Sequence, residues 1–276
     1  MFKILALLFM TLDHIGLYFE PQMPFAVFLG LRLIGRLAFP MFVYSVVMGM
    51  YKTHSIPHYL LRLITFAVTC ELGLLLTAAL GFPYEIQPNV IFTLAAGLSL
   101  IYGWELISTQ KSSGICGGIT LILLAVSVIA LLKPDYDFYG LGLFVVMYMA
   151  TRQRTKSFAP TEQPQPVCIE QAGVIAERYQ TKLSMQTIRP VSEQRRNLLI
   201  SLFIYGLIFL SLQIIFTGGL PEEPWPYMQA VMPLSVFFIP LYASDGRPSR
   251  AFRLFYYLFF PLHHIILFSL TQLCEN

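Results

Sequence analysis

The chain has 276 residues, of which 56% are hydrophobic and only 12% charged, with a formal net charge of +3 and a mean hydropathy of +0.66. Soluble domains carry about 25% charged residues, so this composition excludes a disordered chain and argues against a soluble domain. The small net charge gives no basic field for nucleic acid, and no nucleic-acid partner is expected. The expected class is an all-α, polytopic membrane protein with membrane lipid as its solvent.

The first apolar run, after Met1-Phe2-Lys3, resembles a signal peptide, but Asp13-His14 interrupts it and no small-residue cleavage pattern follows. It reads as an uncleaved first span. Further runs of bilayer length follow, and the full set is 2–19, 25–50, 60–82, 88–108, 115–132, 136–150, 197–217, 225–244 and 252–274. Each is expected to be a helix, because lipid offers no partner for an open backbone and the runs lack barrel alternation.

Charge placement tests these nine spans. With the N-terminus cytoplasmic, the inside segments hold Lys3, Lys52, Arg62, Lys111, eight cations between 151 and 196, and Arg247, Arg250 and Arg253. The outside segments hold Lys133 as their one cation, with Glu20, Glu85, Asp135, Asp137, Glu222, Glu223 and Glu275. This segregation obeys the positive-inside rule. It predicts nine transmembrane helices, N-terminus in and C-terminus out.

Residues 151–196 concentrate twelve charges and four prolines. They read as a cytoplasmic linker between a six-helix part (1–150) and a three-helix part (197–276). Ile169, Ala172, Ala176, Tyr179 and Leu183 recur at helical spacing, which suits an amphipathic helix on the inner membrane surface. A flexible tether fits the same composition. Cys70, Cys116, Cys168 and Cys274 are widely spaced, without metal-ligand spacing. No metal is expected.

Ionisable groups inside a membrane are costly and usually functional. At about 1.5 Å rise per residue, Asp13, His14, Arg36, Glu71 and His263 all fall roughly 14–17 Å into their spans. Arg36 can pair with Asp13 or Glu71. Arg32 sits one turn away on the same face, and Asn89 opens the fourth span. Pro40 and Pro261 are candidate kink sites beside the cluster. The catalytic candidates are His14, Asp13, Arg36 and His263. Arg32, Glu71, Asn89 and Tyr139 are candidate substrate contacts, Tyr139 also reading as an interfacial aromatic beside Gly140. His264 is expected to point away, since helix neighbours diverge by about 100°. A neutral imidazole near a carboxylate and an arginine suits a general base, with Arg36 or Asn89 stabilising an oxyanion. The same set suits a proton relay, and Asp13–Arg36 alone suits an ion pair that fixes helix register.

The segments Ile4–Ile15 (ILALLFMTLDHI), Leu33–Phe42 (LIGRLAFPMF), Asn89–Thr93 (NVIFT), Tyr139–Leu143 (YGLGL) and Phe255–Leu267 (FYYLFFPLHHIIL) together resemble the TraX family. The resemblance implies a membrane acetyltransferase that uses acetyl-CoA as co-substrate and acetylates the amino terminus of a pilin or fimbrial subunit. It maps the family's motif residues onto Asp13, His14, Gly35, Arg36, Ala38, Phe39, Pro40, Asn89 and His263. Other readings are O-acetylation of a surface glycan or lipid-linked sugar, a transporter, or a non-enzymatic pilus-assembly protein. The linker does not resemble the family.

Overall fold

The computed structural model describes residues 1–79, 88–108, 112–152, 191–217, 225–243 and 249–275. In chain order the helices are α1 (Phe2–Tyr18), α2 (Phe25–Gly35), α3 (Ala38–Lys52), α4 (Ile56–Ala79), α5 (Val90–Ser108), α6 (Ser112–Leu132), α7 (Asp137–Thr151) and α8 (Val191–Thr217). Then come α9 (Trp225–Met228), a 3₁₀ segment (Gln229–Phe238), α10 (Ile239–Ala243) and α11 (Arg250–Glu275). A short 3₁₀ turn, Glu20–Gln22, follows α1. No strand occurs among the described residues. The chain is an all-α polytopic membrane protein, as its composition requires.

Six stretches are long and apolar enough to cross a bilayer: Phe25–Lys52, Ile56–Leu76, Val90–Ser108, Gly114–Leu132, Val191–Phe216 and Leu254–Cys274. The other three expected spans are short or irregular. Helix α1 has 17 residues and α7 has 15, while the expected span 225–244 is divided into α9, the 3₁₀ segment with Pro233 inside it, and α10. The second expected span is also not one helix. It breaks at Arg36–Leu37, between α2 and α3. Pro40 explains the break, because it has no N–H to give to the Arg36 carbonyl four residues earlier. Pro261, by contrast, sits inside the continuous α11.

Helix α3 is the axis of the bundle. Ala38–Tyr44, Val46–Met48 and Met50 are buried, and α1, α5 and α7 pack around it. The wall helices α4, α6, α8 and α11 present apolar side chains outward, among them Leu72, Leu123, Phe203 and Leu258. Such faces are stable against lipid and not against water. Helices α5 and α6 cross at Gly103 and Gly118, where a Cβ on either residue would lie only 2.5–2.6 Å from the other's carbonyl oxygen. This is small-residue packing of the kind that joins membrane helices.

Helix α8 begins at Val191, six residues before the expected span, and ties back to the axis through Tyr44, whose hydroxyl donates to Gln194 Oε1 at 2.7 Å. The proposed amphipathic helix at 169–183 lies outside the described residues.

Candidate functional site

The site begins with the α1–α2 hairpin. The 3₁₀ turn at Glu20–Gln22 reverses the chain so that α2 returns along α1, and Gly35 reaches Asp13. A Cβ at Gly35 would fall 2.6 Å from the Asp13 Cα, so only glycine allows this approach. Arg32, one turn earlier, donates from Nη1 to Asp13 Oδ2 at 2.8 Å and to the Asp13 carbonyl at 3.3 Å. Arg36 lies on the other side of the same carboxylate, with Nε 3.8 Å from Oδ1. Neither of those two atoms makes a hydrogen bond. Arg36 is only 7% exposed, and its burial is tolerable because Asp13 offsets the charge.

The third contributor is the loop between α6 and α7. Lys133, Tyr136 and Asp137 all have positive φ, at 47°, 66° and 39°. Non-glycine residues pay for such backbone conformations, and the surrounding contacts hold them. The Asp135 amide donates to the Pro88 carbonyl at 3.3 Å, and Thr93 Oγ1 donates to the Asp135 carbonyl at 2.5 Å. The strained loop delivers the Tyr136 ring onto Phe39, stacked at 3.7 Å and 6°. Arg36 Nη1 then donates to the Tyr136 hydroxyl at 3.2 Å.

Helix α11 supplies the histidines. His263 Nδ1 lies 2.9 Å from the Phe259 carbonyl, and its Nε2 lies 3.1 Å from His14 Nδ1. A carbonyl only accepts, so Nδ1 of a neutral His263 carries the proton and Nε2 accepts from His14 Nδ1–H. That leaves the lone pair of His14 on Nε2. His264 does not point away as expected. Its ring centroid is 4.4 Å from that of His14, and its Nδ1 is 3.0 Å from the Tyr18 hydroxyl. Adjacent residues straddle the direction facing α1, and a cluster this small is within reach of both. One ring nitrogen from each of His14, His263 and His264 falls within 4.8 Å of the others.

A cavity of about 700 Å³ opens over this assembly, lined in part by Asp13, His14, Arg32, Arg36, Tyr136 and His264. A second cavity of about 350 Å³ is lined by Lys3, Arg62, Tyr59 and Tyr256, among others. The two share the wall residues Met10, Phe42, Val90 and Phe260. The larger one also touches Tyr18, Glu20, Asp135 and Gln272. The cavities therefore lie toward opposite ends of α1: Lys3 and Arg62 line the smaller one, while the larger one mixes Asp13, Glu20 and Asp135 with Arg32 and Arg36.

Of the sequence candidates, Asp13, His14, Arg32, Arg36 and His263 are brought together. Asn89 lines the larger cavity but is occupied: its Oδ1 accepts from the Ile91 amide at 3.1 Å, capping α5, while Nδ2 donates to Glu71 at 2.8 Å and to the Ala67 carbonyl at 3.0 Å. Glu71 also accepts from the Asn89 amide at 3.0 Å. It holds the N-terminus of α5 and lines neither cavity, so Arg36 pairs with Asp13 alone among the two expected acids. Tyr139 packs on Tyr205 and Phe209 and donates to Met232 Sδ at 2.9 Å. Its neighbour Tyr136 occupies the place expected of it. Tyr136, Asp135 and Tyr18 are additions that no sequence spacing singled out, and His264 joins them against the expectation that it points away. The positive φ values of the α6–α7 loop are invisible in sequence, and α11 lies more than two hundred residues from α1.

An uncharacterized protein of Rickettsia prowazekii (strain Madrid E) is 25% identical to this chain over 154 residues, covering 55% of this chain and 56% of that protein. The chain thus spans about half the length of this curated relative. No solved structure matches. A family model described as TraX protein matches residues 1–176, which contain Asp13, His14, Arg32, Arg36 and Tyr136, whereas His263 and His264 lie beyond the match. With more than half of its length matched, the chain belongs to the TraX family.

Proposed function

We propose that the protein is an acetyl-CoA-dependent acetyltransferase of the bacterial inner membrane, N-terminus cytoplasmic, that acetylates the amino terminus of a pilin or fimbrial subunit. The observation that carries this reading is the pair of cavities that share the wall residues Met10, Phe42, Val90 and Phe260, with His14 in the larger one, one helical turn from Met10. Donor and acceptor then reach one centre from opposite faces, and the cofactor never has to cross.

On the donor side, Lys3 and Arg62 line the smaller cavity and attract the phosphates of acetyl-CoA. On the acceptor side, the amine enters the larger cavity. His14 Nε2 takes a proton from the amine as nitrogen attacks the thioester carbonyl. His263 Nε2 accepts from His14 Nδ1–H and so stabilises the imidazolium that forms. Arg36 lines the larger cavity, and its guanidinium stabilises the tetrahedral oxyanion. Collapse breaks the C–S bond, and the proton on His14 passes to the departing thiolate. Asp13 keeps the two arginines in place and does not react.

The acceptor is tested by intact-mass measurement of the surface subunit from cells with and without the protein. The proposal expects a gain of one acetyl group that depends on it. An unchanged mass would remove the pilin acceptor while leaving a glycan or lipid-linked sugar open.

A further inference from the structure

We infer that His14, His263 and His264 form a binding site for a divalent first-row transition metal, with Zn²⁺ as its natural probe. These are three of the five histidines in the chain. They converge from two helices, with one ring nitrogen of each inside a 4.8 Å span. A tetrahedral ion with ligands at about 2.0–2.1 Å holds its nitrogens roughly 3.4 Å apart. His14 Nδ1 and His263 Nε2 are already 3.1 Å apart, so the third imidazole has to close by at most about 1.4 Å, from 4.8 Å to roughly 3.4 Å.

The outer contacts match what ligating histidines use. Such a residue donates its second ring nitrogen to a carbonyl or similar acceptor, which fixes its tautomer. His263 gives Nδ1 to the Phe259 carbonyl at 2.9 Å, and His264 has Nδ1 at 3.0 Å from the Tyr18 hydroxyl. Each is left with Nε2 as the ligand nitrogen. The Phe259 ring stacks on His263 at 5.3 Å and 4°, and further fixes its plane. His14 and His264 line the large cavity, so a fourth coordination position opens into it. Three imidazoles and one open position are the ligand set of a catalytic rather than a structural zinc.

Charge permits a cation. The charged residues lining that cavity are Asp13, Glu20 and Asp135 against Arg32 and Arg36, an acidic excess of one. Imidazole ligands favour zinc, copper, iron or nickel over calcium and magnesium. With the ion bound through Nδ1, His14 is a ligand, and a water on the open position becomes the base in the cavity, its pKa lowered toward about 7. The site does not rest on acetyl transfer and is tested without it.

The test uses the full chain, purified in detergent without a histidine tag, stripped with chelator and titrated with Zn²⁺ and then Co²⁺. Elemental analysis after gel filtration reads stoichiometry, and the visible cobalt spectrum reads geometry. The inference expects about one Zn²⁺ per chain and an intense tetrahedral Co²⁺ band. His14→Gln, His263→Gln and His264→Gln should each weaken binding tenfold or more, and His264→Cys should retain it, since thiolate is also a zinc ligand. His54→Ala and His58→Ala should bind as the parent does. An unmodified chain that stays metal-free and elutes as a folded species overturns the site. So does binding that survives all three glutamine variants. Because no acetylation is measured, a metal-free result leaves the transferase reading standing, and a failed acetylation assay leaves the metal site standing.

Discussion

His14 and His263 stand 249 residues apart in the chain, yet Nδ1 of one and Nε2 of the other are separated by 3.1 Å. The contact joins the first and last helices of the bundle and gives the two rings unequal roles. His14 lines the cavity, whereas His263 is buried behind it. His14→Ala should therefore lower acetyl transfer by about 10²–10⁴-fold, the usual worth of a general base. His263→Ala should cost less, since it supports the base without meeting substrate. Initial rates with membranes of equal protein content check the order, and equal losses would give His263 as direct a part as His14, as two ligands of one metal ion would have.

Asp13 is shared by two arginines, so its removal should be the most damaging change to stability. Asp13→Asn leaves Arg32 and Arg36 without their counter-charge, at a cost of about 3–5 kcal/mol for a broken buried pair. Arg32→Gln combined with Asp13→Asn should destabilise by less than the sum of the two alone. Thermal unfolding in detergent of both single variants and the double variant measures this coupling.

Gly35 faces Asp13 with no room for a side chain. Gly35→Ala should push α1 away from α2 and cost about 1–3 kcal/mol, the range for overpacking. Gly73, by contrast, has nothing within 4 Å of where a Cβ would stand and lies inside α4. Gly73→Ala should be neutral or slightly stabilising, because alanine favours helix. The comparison of melting temperatures isolates close approach from any general effect of adding a methyl group.

Glu71 and Asn89 separate structure from chemistry. Their bonds cap α5 and tie it to α4. Asn89→Ala should cost about 1 kcal/mol as a lost helix cap. Glu71→Gln, which keeps an acceptor oxygen for the Asn89 amide, should lower stability while leaving the rate per folded molecule unchanged. A rate loss in Glu71→Gln without loss of stability would return that residue to the site.

The helical membrane character and the Asp13–Arg36 neighbourhood were legible because both have one-dimensional causes. Apolar runs of bilayer length force helices, and a charge far inside such a run needs a counter-charge at its own depth. Depth alone could not tell which polar groups share a cavity. Glu71 lies at a suitable depth, yet it turns to the backbone of α5. Tyr139 and Tyr136 differ by three residues, and only the left-handed backbone at Tyr136 decides which of them meets Arg36. His264 was set aside by an angular argument suited to a large site, whereas this one is small enough for two adjacent residues to touch. The break at Arg36 was the indirect result of Pro40, four residues later, and divided what composition presented as one long span.

The most direct test supplies labelled acetyl-CoA to sealed inner-membrane vesicles containing either the unaltered protein or His14→Ala, and follows label into any acceptor. The account predicts transfer by the unaltered protein and loss of about 10²–10⁴-fold in the variant at equal folded amount. Absence of transfer with acceptor present, or equal transfer by both proteins, would contradict it.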